Sequence, residues 1–198
     1  MNILDLIKKR RSIRKYQNRV IPEKILAKIM EAGIWGPSLL GPGFQPWYFV
    51  IIRDRPKINL ISHILFRKSK KLGVGLNAIL RISSETIKNA SVLIAVFNNS
   101  SLVNFAAKLN NRHINFAKMA ELCAISAAIQ NMLLTAESFR LGTCWLDTPL
   151  FCKKKIENML HVNYSLVAIL TLGYPAEKGR RSQRRPLEST VLSNQSNI

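Results

Sequence analysis

The sequence predicts an α+β fold organised as one domain, and three observations carry that reading. Apolar runs at 47–52, 91–97 and 165–172 read as strands, and 47–52, continuous and rich in β-formers, suits a strand buried on both faces. Elsewhere apolar residues recur at helical spacing, as in Ile25, Leu26, Ile29, Met30, Gly33 and Ile34. No repeat and no linker-like stretch divides the 198 residues, a length that supports one core.

In chain order, 3–9 reads as a short helix. Pro22-Glu23 opens a second, with proline at the first helical position and an acid in the first turn, and Gly36-Pro37-Ser38 breaks it. A loop through Gly41-Pro42-Gly43 leads to the first strand, which Arg53-Asp54-Arg55-Pro56 closes. Residues 57–88 are basic and weakly patterned, fitting one or two helices. After the second strand, 100–113 is polar and basic with little pattern, and 115–139 forms a long helix that is apolar nearly all round. Leu141-Gly142 supplies a glycine stop. A short strand at 143–146, a short helix at 153–160 and the strand 165–172, stopped at Gly173, complete the order before a basic tail.

Thirty Lys and Arg against eleven Asp and Glu give a formal charge of +19. A field this positive favours anionic partners: a phosphorylated cofactor, nucleic acid, an acidic membrane surface or an acidic protein. Cys123, Cys144 and Cys152 are odd in number and lack framework spacing, which argues against a disulfide scaffold. His63, His113 and His161 stand far apart, with no zinc-like spacing, and read as surface residues. The N-terminus lacks the apolar stretch of a signal peptide, and 122–136 is short for a span, so a cytoplasmic location and no membrane span are expected.

Lys8, Lys9, Arg10, Arg11, Arg14 and Lys15 place six basic residues among eight, with Ser12 between them. Lys178, Arg180, Arg181, Arg184 and Arg185 form a second cluster. Arginine suits phosphate because its planar fork donates two parallel hydrogen bonds. Two such clusters from opposite ends of a chain could clamp one phosphate; from charge alone, solvated basic faces are the favoured reading.

The order of motifs adds to this. Arg10-Arg11-Ser12-Ile13-Arg14, then Pro37-Ser38, Gln45-Pro46-Trp47, Asn89-Ala90-Ser91-Val92-Leu93-Ile94, Ala128-Ile129-Gln130-Asn131 with Leu141-Gly142-Thr143-Cys144-Trp145, and Gly173-Tyr174-Pro175 with Arg184-Arg185-Pro186-Leu187-Glu188 run in sequence across most of the chain. Together they resemble the nitroreductase family of FMN-dependent flavoenzymes. The resemblance implies a central mixed β-sheet flanked by helices in an intertwined homodimer, with FMN at the subunit interface. It implies that Arg10, Arg11 and Ser12 bind the FMN phosphate and that Arg184 completes the clamp. Arg14 would sit by the flavin pyrimidine edge, where a cation stabilises the charge that collects on reduction. Pro37 and Ser38 would approach the ring from the other subunit, and Asp147 and Thr148 would offer backbone groups near N5. The cofactor carries the chemistry while the protein binds and orients it.

The resemblance further implies two-electron reduction of a nitroaromatic, quinone or enone-type acceptor, driven by NADH or NADPH. The loop 39–44 departs from the family pattern, being about two residues longer and lacking an Asn. That leaves open an oxidase or dehydrogenase acting on a cyclic dipeptide or azoline with oxygen as acceptor. No flavin contact is assigned within 57–88. Phe44, an aromatic in a Gly/Pro loop, is read either as a lid over the substrate or as ordinary loop packing. Trp47 and Trp145 are read as core, Trp35 as core or interface, and Cys144 as a buried inert thiol. A basic nucleic-acid- or partner-binding protein is the competing reading, and the absence of aromatic–basic alternation argues against the nucleic-acid form of it.

Overall fold

The computed structural model describes residues 2–39, 41, 44–109 and 111–191. The helices are α1 (Ile3–Lys9), α2 (Glu23–Ile34), α3 (Arg55–Ser69), α4 (Val74–Asn89), α5 (Ser101–Leu109), α6 (Ile114–Ser138) and α7 (Lys153–Leu160). The strands are β1 (Trp47–Ile52), β2 (Val92–Asn98), β3 (Gly142–Leu146) and β4 (Ser165–Gly173), in sheet order β1-β2-β4-β3.

Alternation along β2 explains why its run is apolar throughout. Val92, Ile94 and Val96 face one side and pack with α2 and α6, while Leu93, Ala95 and Phe97 face the other and pack with α3 and α7. Helices cover both faces, so no polar alternation survives. The sheet is nevertheless antiparallel in all three ladders, not mixed as expected. Among the described residues, parallel pairing is confined to the bridge between Ser12 and Thr143.

The strand at 47–52 is not buried on both faces either. Trp47 and Ile52 are buried, but Tyr48 and Ile51 are exposed, because β1 is an edge strand that only β2 flanks. Tyr48 lies against Tyr164 with ring centroids 4.5 Å apart. Segment 57–88 resolves into α3 and α4, and the featureless 100–113 contains α5. Glu121 of α6, fully buried, caps α5 by accepting from the N–H groups of Leu102 (2.8 Å) and Val103 (3.2 Å) and from the Asn98 amide (2.8 Å).

Two boundary signals act differently from their expected roles. Pro22 sits one residue outside α2 as its cap, and its carbonyl accepts from Ile25 and Leu26. The stop after α6 is made by Arg140, not Gly142. Arg140 takes the left-handed conformation (φ 59°) and donates to Glu137 O at 2.9 Å, while Leu141 donates to Ala136 O at 2.9 Å, closing a Schellman turn. Gly142 is required for a different reason: a Cβ there would meet the Ile13 side chain at 2.8 Å. At 25 residues α6 is long and apolar enough to cross a bilayer by length and composition, yet it packs on α2 and carries the buried Glu121, as the core helix of this fold.

Candidate cofactor site

The N-terminal arm is laid along the sheet edge by backbone pairing. Ile13 N–H donates to Thr143 O at 2.8 Å, Gln17 N–H donates to Tyr174 O at 2.8 Å, and Ala176 N–H donates back to Lys15 O at 2.9 Å. Residues 12–17 therefore sit between β3 and the segment that follows β4. Buried Ile13 anchors the arm against Gly142. The side chain of Tyr16 lies over Gly173, where a Cβ would approach its ring at 2.6 Å. The backbone around Gly179 passes so close to Arg11 that a Cβ would collide with that side chain.

This arrangement brings the two basic clusters together. A cleft of about 780 Å³ is lined by Ser12, Arg14 and Lys15 of the arm, Glu177, Lys178 and Arg180 of the tail, and Arg81, Ile82, Glu85, Thr86 and Asn89 of α4. Its volume lies in the range of small-molecule and cofactor sites, roughly 300–1,000 Å³. Five cations face two carboxylates, so the cleft favours an anion. Glu177 is directed inward: its Oε1 accepts the Arg14 backbone N–H at 2.8 Å.

The α4 residues were not foreseen. Arg81, Glu85 and Asn89 recur every four residues and so share one helical face, a signal present in the sequence but masked by the weak apolar pattern of 57–88. Among the expected site residues, Ser12 and Arg14 line the cleft. Arg10 and Arg11 are half-buried beside it in sequence, and Arg11 donates to the carbonyls of Lys8 and of Arg10 (2.8 Å). Lys9, Arg10 and Arg11 also act on Glu137: burial pushes that carboxyl up and the three cations pull it back. Arg184 is exposed in the tail and donates to Gln183 O (3.2 Å); the tail cations that reach the cleft are Lys178 and Arg180.

Asp147 accepts from the Trp145 indole N–H at 2.6 Å and caps the turn Thr148–Cys152. Thr148 Oγ1 is buried without a hydrogen-bond partner among the described residues. Pro37 and Ser38 follow α2, where Gly36 abuts the backbone of Ala128, and neither lines the cleft. Phe44 packs edge-on against Phe105 (5.2 Å) in a small cluster with Leu102, Ala106 and Ala117, which favours the loop-packing reading. Leu40, Pro42 and Gly43 of its loop lie outside the described residues. Trp47 is core, Trp145 is half-buried beside the core, and Trp35 is exposed. Cys144 is buried, and burial pushes its thiol up, as expected of an inert cysteine; Arg14 acts in the opposite direction. The three histidines are exposed, and no cluster of metal-ligating residues occurs among the described residues.

The family model described as "Nitroreductase family" matches residues 7–174, which include the arm, α4 and every strand. The chain belongs to the nitroreductase family. A nitroreductase-family relative from Methanothermobacter thermautotrophicus, named as an NADH dehydrogenase/NAD(P)H nitroreductase, is 30% identical over 181 residues, spanning 89% of this chain and 79% of its own. A crystal structure of a nitroreductase in complex with FMN from Desulfovibrio desulfuricans superposes with a TM-score of 0.75 at 29% identity, covering 98% of this chain and 96% of the other. A BluB-like flavoprotein from Clostridium difficile 630 superposes with a TM-score of 0.81 at 26% identity, covering 98% and 99%. Nitroreductase membership thus holds from residue 7 to 174, and Ser12, Arg14 and Asn89 of the motifs that suggested it line the cleft.

Proposed function

We propose that this nitroreductase-family enzyme binds FMN in the cleft and uses NADH or NADPH to reduce a nitroaromatic, quinone or enone-type acceptor by two electrons. The observation that carries the reading is the convergence of Ser12, Arg14, Lys178 and Arg180, from opposite ends of the chain, on one cation-lined cavity of about 780 Å³. The residues present fit the group. Arginine and lysine suit its phosphate, and the Ser12 and Thr86 hydroxyls add neutral donors.

When bound, FMN supplies the hydride chemistry. The protein's part is electrostatic and positional. Arg10, Arg11 and Ser12 hold the phosphate, with Arg184 as an additional donor from the tail. Arg14, whose backbone is fixed by Glu177, presents a preplaced cation to the electron-rich edge. Backbone groups of Asp147 and Thr148 would help to orient the ring. Pro37 and Ser38 complete the site from a second protomer.

That second protomer is supported by the exposed apolar surface of a single chain. Phe116, Met119 and Leu122 of α6, together with Ile34 and Trp35 at the end of α2, stand in solvent. A cluster of this kind marks an interface. Elution as a dimer, lost on Met119→Asp, is the expected result; a monomer that retains flavin would remove the shared site.

The first experiment is the visible spectrum of the purified protein, with release and identification of the chromophore. FMN at about one per chain is expected. A colourless protein that takes up no added FMN would overturn the reading. Steady-state assays with each nicotinamide, and with oxygen as sole acceptor, then separate reduction from the oxygen-coupled alternative.

A further inference from the structure

We infer that the turn joining α3 and α4 is a docking surface for an anionic lipid bilayer. Residues 55–84 contain seven Lys or Arg and no Asp or Glu. Four of the cations, Arg67, Lys68, Lys70 and Lys71, lie at the end of α3, and Lys68 alone is half-buried. Lys70 stands 5.0 Å from the centroid of the Phe66 ring and Arg81 stands 5.8 Å from it, so cations from both helices gather on one ring.

The apolar residues beside them complete the surface. Val74, at the first position of α4, is 92% exposed, and Leu76, Ile79 and Ile82 follow in solvent along the helix. Val74 and Ala78, four residues apart, form the exposed stripe of the tip with Ile79 at its border; Ile82, one turn on, marks where the stripe reaches the cleft. Gly73 and Gly75 have nothing within 4 Å of where a Cβ would stand, so the tip projects freely. A tip that exposes aliphatic side chains beside a cation cluster matches the interfacial boundary of an acidic bilayer: the aliphatics enter the acyl region while the cations meet headgroup phosphates.

The same observations weigh against the other occupants. A second copy across a two-fold axis would bring this cation cluster against itself without a compensating carboxylate. Nucleic acid would use the cations, but it gains nothing from Val74, Ile79 or Ile82 and finds no exposed aromatic at the tip for stacking.

The test is co-sedimentation of the full chain with vesicles of phosphatidylcholine, with and without phosphatidylglycerol. The parent protein should bind only the anionic vesicles, and less as salt rises. Lys70→Glu/Lys71→Glu should weaken binding at least tenfold, since each cation near such a surface contributes about fivefold. Val74→Asp should weaken it as well. Lys24→Glu/Lys28→Glu, which changes the net charge equally on α2, should leave most of the binding intact. These positions are exposed and outside the cleft, and circular dichroism confirms folding. No binding by the parent, or equal losses from the two double variants, overturns the proposal. Tighter binding to duplex DNA that depends on Lys70 and Lys71 but ignores Val74→Asp overturns it in favour of nucleic acid.

Discussion

The backbone N–H of Arg14 donates to Glu177 Oε1 at 2.8 Å, joining two cleft-lining residues 163 positions apart. This bond fixes the backbone that carries the arginine while leaving its guanidinium free for a ligand. Glu177→Ala should therefore weaken FMN binding by about two- to tenfold, the worth of one hydrogen bond of about 0.5–1.5 kcal/mol. Glu177→Gln, which keeps an acceptor oxygen, should restore most of the loss. Fluorescence titration of the apoprotein measures both, and tighter binding by both variants would show that repulsion between the carboxylate and the anion outweighs its role as acceptor.

Thr148 separates stability from binding. Its buried hydroxyl has no partner among the described residues, and an unsatisfied buried hydroxyl costs about 1–3 kcal/mol. Thr148→Val, which keeps the backbone groups, should stabilise the apoprotein to urea and leave its affinity for FMN unchanged. A variant less stable than the parent without flavin would place the hydroxyl's partner within the protein itself.

Tyr16 couples the arm to alkaline stability. Its hydroxyl donates to Ile13 O at 2.6 Å and shares a hydrogen bond with Thr171 Oγ1 at 2.7 Å. Burial pushes its pKa far above the ordinary tyrosine value, with the Thr171 bond pulling the other way. The unfolded chain then releases this proton first, once pH passes about 10. The folded state holds more protons above that point, so Tyr16 contributes stability fully below pH 10 and loses it as pH rises further. Denaturation at about pH 8 and pH 11 should show a steeper alkaline decline for the parent than for Tyr16→Phe. Parallel declines would rule this proton out.

Arg140 carries a local cost of the Schellman turn. A non-glycine residue in the left-handed region costs about 1–2 kcal/mol, part of which glycine returns as unfolded-state entropy. Arg140→Gly should raise stability by about 0.5–1 kcal/mol, with turnover unchanged. A fall in stability would mean that the arginine side chain makes a contact worth more than the strain.

Much of this arrangement was legible in the residues. The long apolar helix, the strands and the arginine-rich arm follow from local composition and periodicity. The exposure of β1 did not, because whether a strand lies at a sheet edge depends on order among strands and leaves no mark on Trp47–Ile52 itself. The Arg140 stop was hidden by Gly142 two residues later, since glycine is the usual sign of a left-handed residue and here serves close packing against Ile13. Within the site, Ser12 and Arg14 were identifiable from their motif, whereas Arg81, Glu85 and Asn89 needed the packing of α4 beside the arm before their shared face acquired meaning.

The pairing of residues 12–17 with 174–177 has a consequence for biosynthesis. One wall of the cleft is made from residues 12–15 and another from 177–180, so α2 to α7 and all four strands are synthesised between them. Closing so long a loop is slow compared with forming α6 or pairing β3 with β4. A nascent chain that stops short of Glu177 can thus form its helices without assembling the cleft, and the anion-binding face exists only once both segments have been made.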